Sequence, residues 1–467
     1  MLGTSVDEWA KEVKEKLDGF VQELMTDCDF NRIEGALQEM VTTLVDSLLQ
    51  TVLNAALTDA GFLLTLKQFG TSLGFQFKGY RDVSVYVYTG SRIRVKSPYF
   101  VCIGKKRGRK KRGPNGRGKH VGLEVFGFIE RGSRQFVSEI VQLALLCPSF
   151  QVAREVLCQR AIVLNVKTIR RFCRALGQRG LEQRGAISVE ANDPMDGHTL
   201  VIGVDGGRIR ERRPKRGPKK HGQRRQGYHT DWREPKLVTV YLHDADGKLV
   251  KTFAPIHDAT LGNDDRVFAL LESYLRNMDL NAVERIVFTG DGAPWIWTRV
   301  ERLIVRLGLY SDRVFQVIDY AHATQNLYEI VELVGSKHRQ RLFKKWKAFL
   351  CRGDIDGLGE AIRKVLSGRK LKRALKKWKS YFQKNALRMQ YQFFRDNSLP
   401  CGSGHVESAI RRVINLRLKA PGTFWTRDMA ECFLFLRSQL ISGRWTIFMQ
   451  NVSQKFVKLL NPDVVFV

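Results

Sequence analysis

Between His198 and Asp319 short apolar runs alternate with helical periods, in an order that fits few arrangements of strands and helices. His198-Thr-Leu-Val-Ile-Gly-Val-Asp205 reads as an apolar strand ending in an acid. Lys236-Leu-Val-Thr-Val-Tyr-Leu242 and Lys248-Leu-Val-Lys-Thr-Phe-Ala254 read as two more, joined by a turn at Asp244-Ala-Asp-Gly247. A helical period covers Asp264 to Asn277, a fourth strand Arg285 to Asp291, a helix Trp295 to Leu307 and a fifth strand Val314 to Asp319. Three strands, helix, strand, helix, strand predict an α/β core with one mixed sheet flanked by helices.

The flanks have other periods. From Ala323 to about Asn397 the pattern is helical without strand signals. There Phe343-Lys-Lys-Trp-Lys-Ala-Phe349 and Leu375-Lys-Lys-Trp-Lys-Ser-Tyr381 form a faint repeat of basic helices with an embedded tryptophan. Val6 to about Leu66 is helical, and short alternating strands follow between Val83 and Val125, interrupted by a polybasic loop from Gly104 to His120. From Ser133 to Leu176 three helices are expected: Phe136 to Leu146, Gln151 to Gln159, and a third capped by Asn165 that carries Lys167, Arg170, Arg171 and Arg174. The trio reads either as a helix-turn-helix whose third member recognises DNA or as an ordinary packing unit with a solvated basic face. A polar linker is expected from Gln178 to Gly197. The expected organisation is therefore an N-terminal helical region with a small β element and basic loop (1–132), a helix-turn-helix-like region (133–180), the first part of the core (198–322), an all-helical insertion (323–399) and the last part of the core with C-terminal helices (400–467).

Lys and Arg number 78 against 47 Asp and Glu, a formal net charge of +31. Such an excess is costly self-repulsion unless the partner is a polyanion, although charge alone leaves a ribosome-associated or membrane-surface protein open. The cations cluster at Lys105, Lys106, Arg107, Lys110 and Lys111, and again at Arg212, Arg213, Lys215, Arg216, Lys219 and Lys220 in a second loop that directly follows Asp205. Contact with a DNA backbone is the expected role of both. The eight cysteines contain no C-x-x-C pair and read as thiols of a reducing compartment. No leader-like apolar segment opens the chain and no apolar run approaches the roughly 20 residues needed to span a bilayer, so a cytoplasmic, nucleoid-associated protein without membrane contact is expected.

Asp205 closes the first strand and Asp291 the fourth, and in this strand order the two lie side by side at the centre of the sheet. A third acid, Glu407, opens the helix after the insertion, in Cys401-Gly-Ser-Gly-His-Val-Glu-Ser-Ala-Ile410, whose glycines are expected to let it approach the sheet. Three convergent carboxylates suit two Mg²⁺ or Mn²⁺ ions, the pair that in-line attack at phosphorus uses. Singly, Asp205 and Asp291 before glycines also fit plain turns, and Glu407 fits a pair with Arg411. Trp295 and Trp297 fit stacking on an extruded base or packing of their helix on the sheet.

Five motifs carry a resemblance: Val201-Ile-Gly-Val-Asp-Gly-Gly-Arg208, Tyr228-His-Thr-Asp-Trp-Arg-Glu-Pro-Lys236, Thr289-Gly-Asp-Gly-Ala-Pro-Trp-Ile-Trp297, Val317-Ile-Asp-Tyr-Ala-His322 and Gly402-Ser-Gly-His-Val-Glu-Ser-Ala-Ile410. From about Ser133 to the end the chain resembles bacterial insertion-sequence transposases of the ISKra type, relatives of the Mutator-like DDE group. The resemblance implies an RNase H-like core with a helical insertion before the final Glu, and DNA cut-and-join chemistry at Asp205, Asp291 and Glu407. It also implies an auxiliary pair, Asp319 and His322, and a basic tail with Arg417 and Lys419 near the scissile phosphate. The implied partner is double-stranded DNA, as element ends and target, bound by a homodimer or higher oligomer. Many members carry a cysteine-rich metal-binding element near the N-terminus; here only Cys28 and Cys102 precede the helical trio, so no structural zinc is expected. A silent DNA-binding descendant and an RNase H-like nuclease without strand transfer are the competing readings.

Overall fold

A computed structural model describes residues 2–102, 118–184, 195–218, 221–223, 226–309 and 312–460, with side chains from residue 10 to 452. The chain forms two compact units: Met1–Glu139 and Leu157–Val163 with the segment from Lys455, and Ile140–Val156 with Leu164–Gln454. These limits differ from boundaries at 132, 180 and 198, because the expected recognition helix lies in the same unit as the large sheet.

In the first unit the helical start is three helices, Leu2–Asp27, Phe30–Thr58 and Ala60–Ser72. Strands β1 (Phe75–Tyr86), β2 (Arg92–Cys102) and β3 (Gly118–Lys119) form an antiparallel sheet. Val83, Val85, Ile93 and Val95 point into its core with Leu57 and Leu123. β1 begins eight residues earlier than its apolar run, because its first half is charged on the exposed face and pairs with β2 through a bulge between Phe77 and Tyr80. The expectation that nothing is long and apolar enough to cross a membrane needs correction. Helix Phe30–Thr58, of 29 residues, is so by length and composition, because its Thr, Gln and Asp interrupt the apolar run without lowering the mean hydropathy enough.

The second unit is built on a five-stranded sheet of β4 (Thr199–Gly206), β7 (Lys236–His243), β8 (Ile256–Thr260), β9 (Arg285–Gly290) and β10 (Val314–Ile318), in the order β10-β9-β4-β7-β8. β4, β9 and β10 are parallel and β7 runs against its neighbours. The central strands β4 and β7 are buried almost throughout, which is why they read as continuous apolar runs. Helices Asp264–Arg276 and Pro294–Arg306 fill the gaps between strands as expected.

The third strand differs from its expectation. Lys248–Ala254 makes only an isolated bridge at Leu249, and Ile256–Thr260 takes the place beside β7. Its polar residues are buried with partners from elsewhere: Asp258 is ion-paired to Arg184, and the His257 Nδ1 lies 2.8 Å from Thr239 Oγ1. The basic loop after Asp205 is likewise, at its base, an antiparallel ribbon of β5 (Ile209–Pro214) and β6 (Tyr228–Arg233), with Glu211 buried and paired to Arg233.

Helix Val166–Glu182 starts where Asn165 caps it, the Asn side chain accepting from the Thr168 N–H at 2.8 Å. It runs through the start of the expected linker and buries Ile169, Phe172, Cys173 and Leu176 beside the C-terminal helix Arg427–Ile441. Between Ala323 and Asn397 the described residues contain no strand, and the repeat's tryptophans, Trp346 and Trp378, are core residues.

Candidate active site

β4 and β9 lie side by side with Val204 opposite Gly290, so Asp205 and Asp291 stand at the same end of the sheet. The Asp291 carboxylate accepts from the Ala293 N–H at 2.9 Å, and its carbonyl accepts from the Trp297 indole at 2.7 Å. Glu407 comes from helix Gly404–Ala409, which continues through a π-helical stretch at Ile410–Asn415. What seats this helix is a glycine on the strand: a Cβ at Gly203 would lie 2.0 Å from Val406 Cγ2, one residue before Glu407. The glycines of the helix itself, credited above with the close approach, play no such part, since a Cβ at Gly404 would meet nothing within 4 Å.

Gly203→Ala is therefore expected to cost about 1–3 kcal/mol as overpacking and to push Glu407 out of register with Asp205. Thermal unfolding and DNA nicking measure the two effects. An unchanged melting temperature with full nicking would show that Val406 turns away freely.

Asp205 feels the other two acids. Burial pushes the Asp205 carboxyl up to about 6; the Gly206 N–H, 2.6 Å from Asp205 Oδ1, works against this, the negative charge of Asp291 adds to it, His322 opposes it and Glu407 adds to it. Among the described residues no group of three His, Cys, Asp or Glu side chains is already set to hold a metal ion. The donor chemistry nevertheless suits a hard divalent cation: carboxylate oxygens only, partly desolvated, with a mutual repulsion that a cation relieves.

Asp319 has a different place. It is buried at the end of β10, caps helix Tyr320–Val331 by accepting from the His322 N–H at 2.8 Å, and accepts from the Ser403 N–H through its other oxygen. One oxygen thus caps the helix that follows, and the other ties the end of β10 to the segment that leads into the Glu407 helix. His322 lies near enough to act on the charge of Asp205.

Tyr381, from the helical insertion, was not legible as a site residue: a Cβ at Gly292 would lie 2.1 Å from its ring, so the ring covers the backbone just after Asp291. Trp297 is buried, and Trp295 packs edge-on against Phe268 with the Lys236 ammonium over its ring, so both serve packing rather than stacking on a base.

The basic residues are divided. Lys105, Lys106, Arg107, Lys110, Lys111, Lys219 and Lys220 lie outside the described residues. Lys215, Arg216 and Lys419 are exposed, and Arg213 is paired with Asp231 on the ribbon. Arg417 departs from the expected basic tail: only 2 % exposed, it sits among the rings of Phe150, Trp425 and Phe433, because it lies on the inner side of the helical segment Leu416–Leu418. Lys167, Arg170, Arg171, Arg174, Arg212 and Arg417 line one cavity.

No family model matches the chain and no curated protein matches it. Among solved structures it is similar to the Drosophila P element transposase strand transfer complex, with 12% identity over 71% of this chain and 84% of that one and a TM-score of 0.26. A likeness of that size carries no information on this chain's activity.

Proposed function

We propose that the chain is a DNA transposase of the DDE type, which cleaves and rejoins DNA strands with divalent cations held by Asp205, Asp291 and Glu407. One observation carries the reading: two acids end neighbouring parallel strands, and a third arrives on a helix seated against the first strand, close enough to raise the Asp205 pKa. The strand order β8-β7-β4-β9-β10 with β7 reversed supports an RNase H-like core. The net charge of +31 supports a nucleic-acid substrate, and the five motifs support the ISKra type on sequence grounds alone. Bound there, Mg²⁺ or Mn²⁺ would activate the attacking oxygen and stabilise the leaving one. The chain's own part is to hold the carboxylates on rigid strand ends, with Asp319 fixing the approach to the Glu407 helix and Tyr381 covering the Asp291 turn.

The test is nicking of supercoiled plasmid by the full chain, with and without Mg²⁺ or Mn²⁺, followed by assay for joined ends. Cation-dependent nicking that chelation abolishes is expected, with joined products. Nicking without any joining would leave a nuclease. Tight DNA binding without nicking under either cation would leave a silent DNA-binding protein.

A further inference from the structure

A cavity of about 650 Å³ opens between the start of helix Val166–Glu182 and the segment around Trp425, and none of the three acids lines it. Its cations come from three places: Lys167, Arg170, Arg171 and Arg174 from the helix, Arg212 from β5, and Arg417 from beneath. Backbone bonds hold the parts together, since the Arg212 N–H donates to the Trp425 carbonyl at 2.8 Å and the Trp425 N–H to the Arg210 carbonyl at 2.9 Å. Phe150, Phe424 and Trp425 supply aromatic wall. No Asp or Glu is among the described residues that line it.

Arg417 is the informative member. Its guanidinium is buried against three rings and donates from Nε to the Ala144 carbonyl at 3.2 Å, while its Nη2 has no hydrogen-bond partner among the described residues. Burial pushes its pKa down to about 10. That nitrogen is closed off from the cavity as well as from water, so the guanidinium acts on whatever enters the cavity through its charge.

We propose that this cavity takes one unpaired nucleotide of a DNA strand, its phosphate on the arginines and its base against the aromatic wall. The assignment of DNA as the source rests on the function proposed above. The volume suits a nucleotide, since small-molecule sites span roughly 300–1,000 Å³. A duplex presents its bases paired and stacked, so a concave aromatic site is open only to a base that has left the stack, and such bases bind aromatic side chains regardless of sequence. On this assignment the helix offers its exposed cations to an unpaired strand rather than to the major groove. Its cations face a pocket, together with residues some 250 positions away in the chain.

The experiment compares binding of the full chain to a blunt duplex and to the same duplex with a short single-stranded tail. The tail carries 5-iododeoxyuridine for photo-cross-linking and peptide mapping. Tailed duplex is expected to bind about tenfold tighter than blunt or better, with the cross-link on Phe150, Phe424 or Trp425. Arg417→Met should bring the ratio of the two affinities close to one. Should that variant not fold, the exposed pair Lys167→Glu with Arg174→Glu should lower the same ratio. Equal affinities, or a cross-link mapping elsewhere, would overturn the inference while leaving DNA binding intact; no binding to either duplex would overturn the transposase reading as well. A deoxynucleoside monophosphate should displace the tailed duplex only at about a 100-fold excess or more, as expected for a ligand lacking the strand's remaining contacts. Displacement at parity would assign the cavity to a free nucleotide and overturn the DNA source.

Discussion

Asp205→Asn and Glu407→Gln are each expected to lower cation-dependent nicking roughly 10³-fold, with affinity for DNA within about twofold of the parent. The reasoning is that a metal ligand supplies several kcal/mol of transition-state charge stabilisation, and each 1.36 kcal/mol is a factor of ten. DNA binding should survive because the cations of the exposed surfaces are untouched. Asp319→Asn separates ligand from positioner. Its carboxylate already accepts from the His322 and Ser403 N–H groups, so the amide can keep one of these bonds and turns an N–H toward the other. The expected result is a loss of stability of about 1–3 kcal/mol with a smaller loss of nicking, and a cation requirement close to the parent's. Kinetics over a range of Mg²⁺ concentrations decide the matter. A cation requirement raised far more by Asp319→Asn than by Glu407→Gln would make Asp319 the third ligand.

Asp258→Ala should be the most destabilising single change in the unit that holds the large sheet. Asp258 is fully buried on β8, accepts from Arg184 Nε at 2.7 Å and from the Tyr274 hydroxyl at 2.7 Å, and is paired to the Arg184 guanidinium a second time. Burial works against the charge of Arg184, and Asp258 more than offsets it, holding the guanidinium above the ordinary arginine value. Removing the carboxylate leaves that cation buried, with the Ala259 carbonyl at 2.6 Å and the more distant Glu431 carboxylate at 3.7 Å, and the cost for such a break is about 3–5 kcal/mol. In a unit of this size that corresponds to a fall in melting temperature on the order of 10 °C. The double variant Asp258→Leu with Arg184→Met should regain much of the loss, since replacing a buried pair by apolar groups is often neutral. A single-variant shift below about 2 °C would mean that Glu431 takes over as partner, contrary to its longer separation.

Much of the site was legible because it depends on local pattern. Asp205 and Asp291 end runs whose neighbours are buried on both faces, and a strand of that kind announces itself as an unbroken apolar stretch. Asn165 as a cap and Asp264–Arg276 as a helix are equally local, set by a side chain three residues from its backbone partner and by a 3.6-residue period. What was missed lacks any local mark. Ile256–Thr260, with His257 and Asp258 among its five residues, has no strand pattern of its own, yet it is a buried strand in which Arg184, 74 residues earlier, meets the carboxylate. The ribbon β5–β6 joins two charged segments on either side of a basic stretch, and nothing in either segment specifies the other.

The amino-acid sequence by itself determined strands β4, β7, β9 and β10 with the two helices between the last three strands of the chain order, the two strand-end acids, the helix that carries Glu407 and the basic character of the chain, since each follows from residues within one or two turns of one another. Only the tertiary structure decided that Gly203 rather than Gly402 or Gly404 admits the Glu407 helix, that Asp319 is spent on two backbone donors, and that Arg417 is buried beside a cavity instead of exposed on a tail. The reason is that periodicity encodes which face of an element is buried, whereas the worth of a charge or a missing side chain is set by what packs against it. At Gly203 and Val406, as at Arg417 and Ala144, that neighbour is supplied from about 200 residues or more away in the chain.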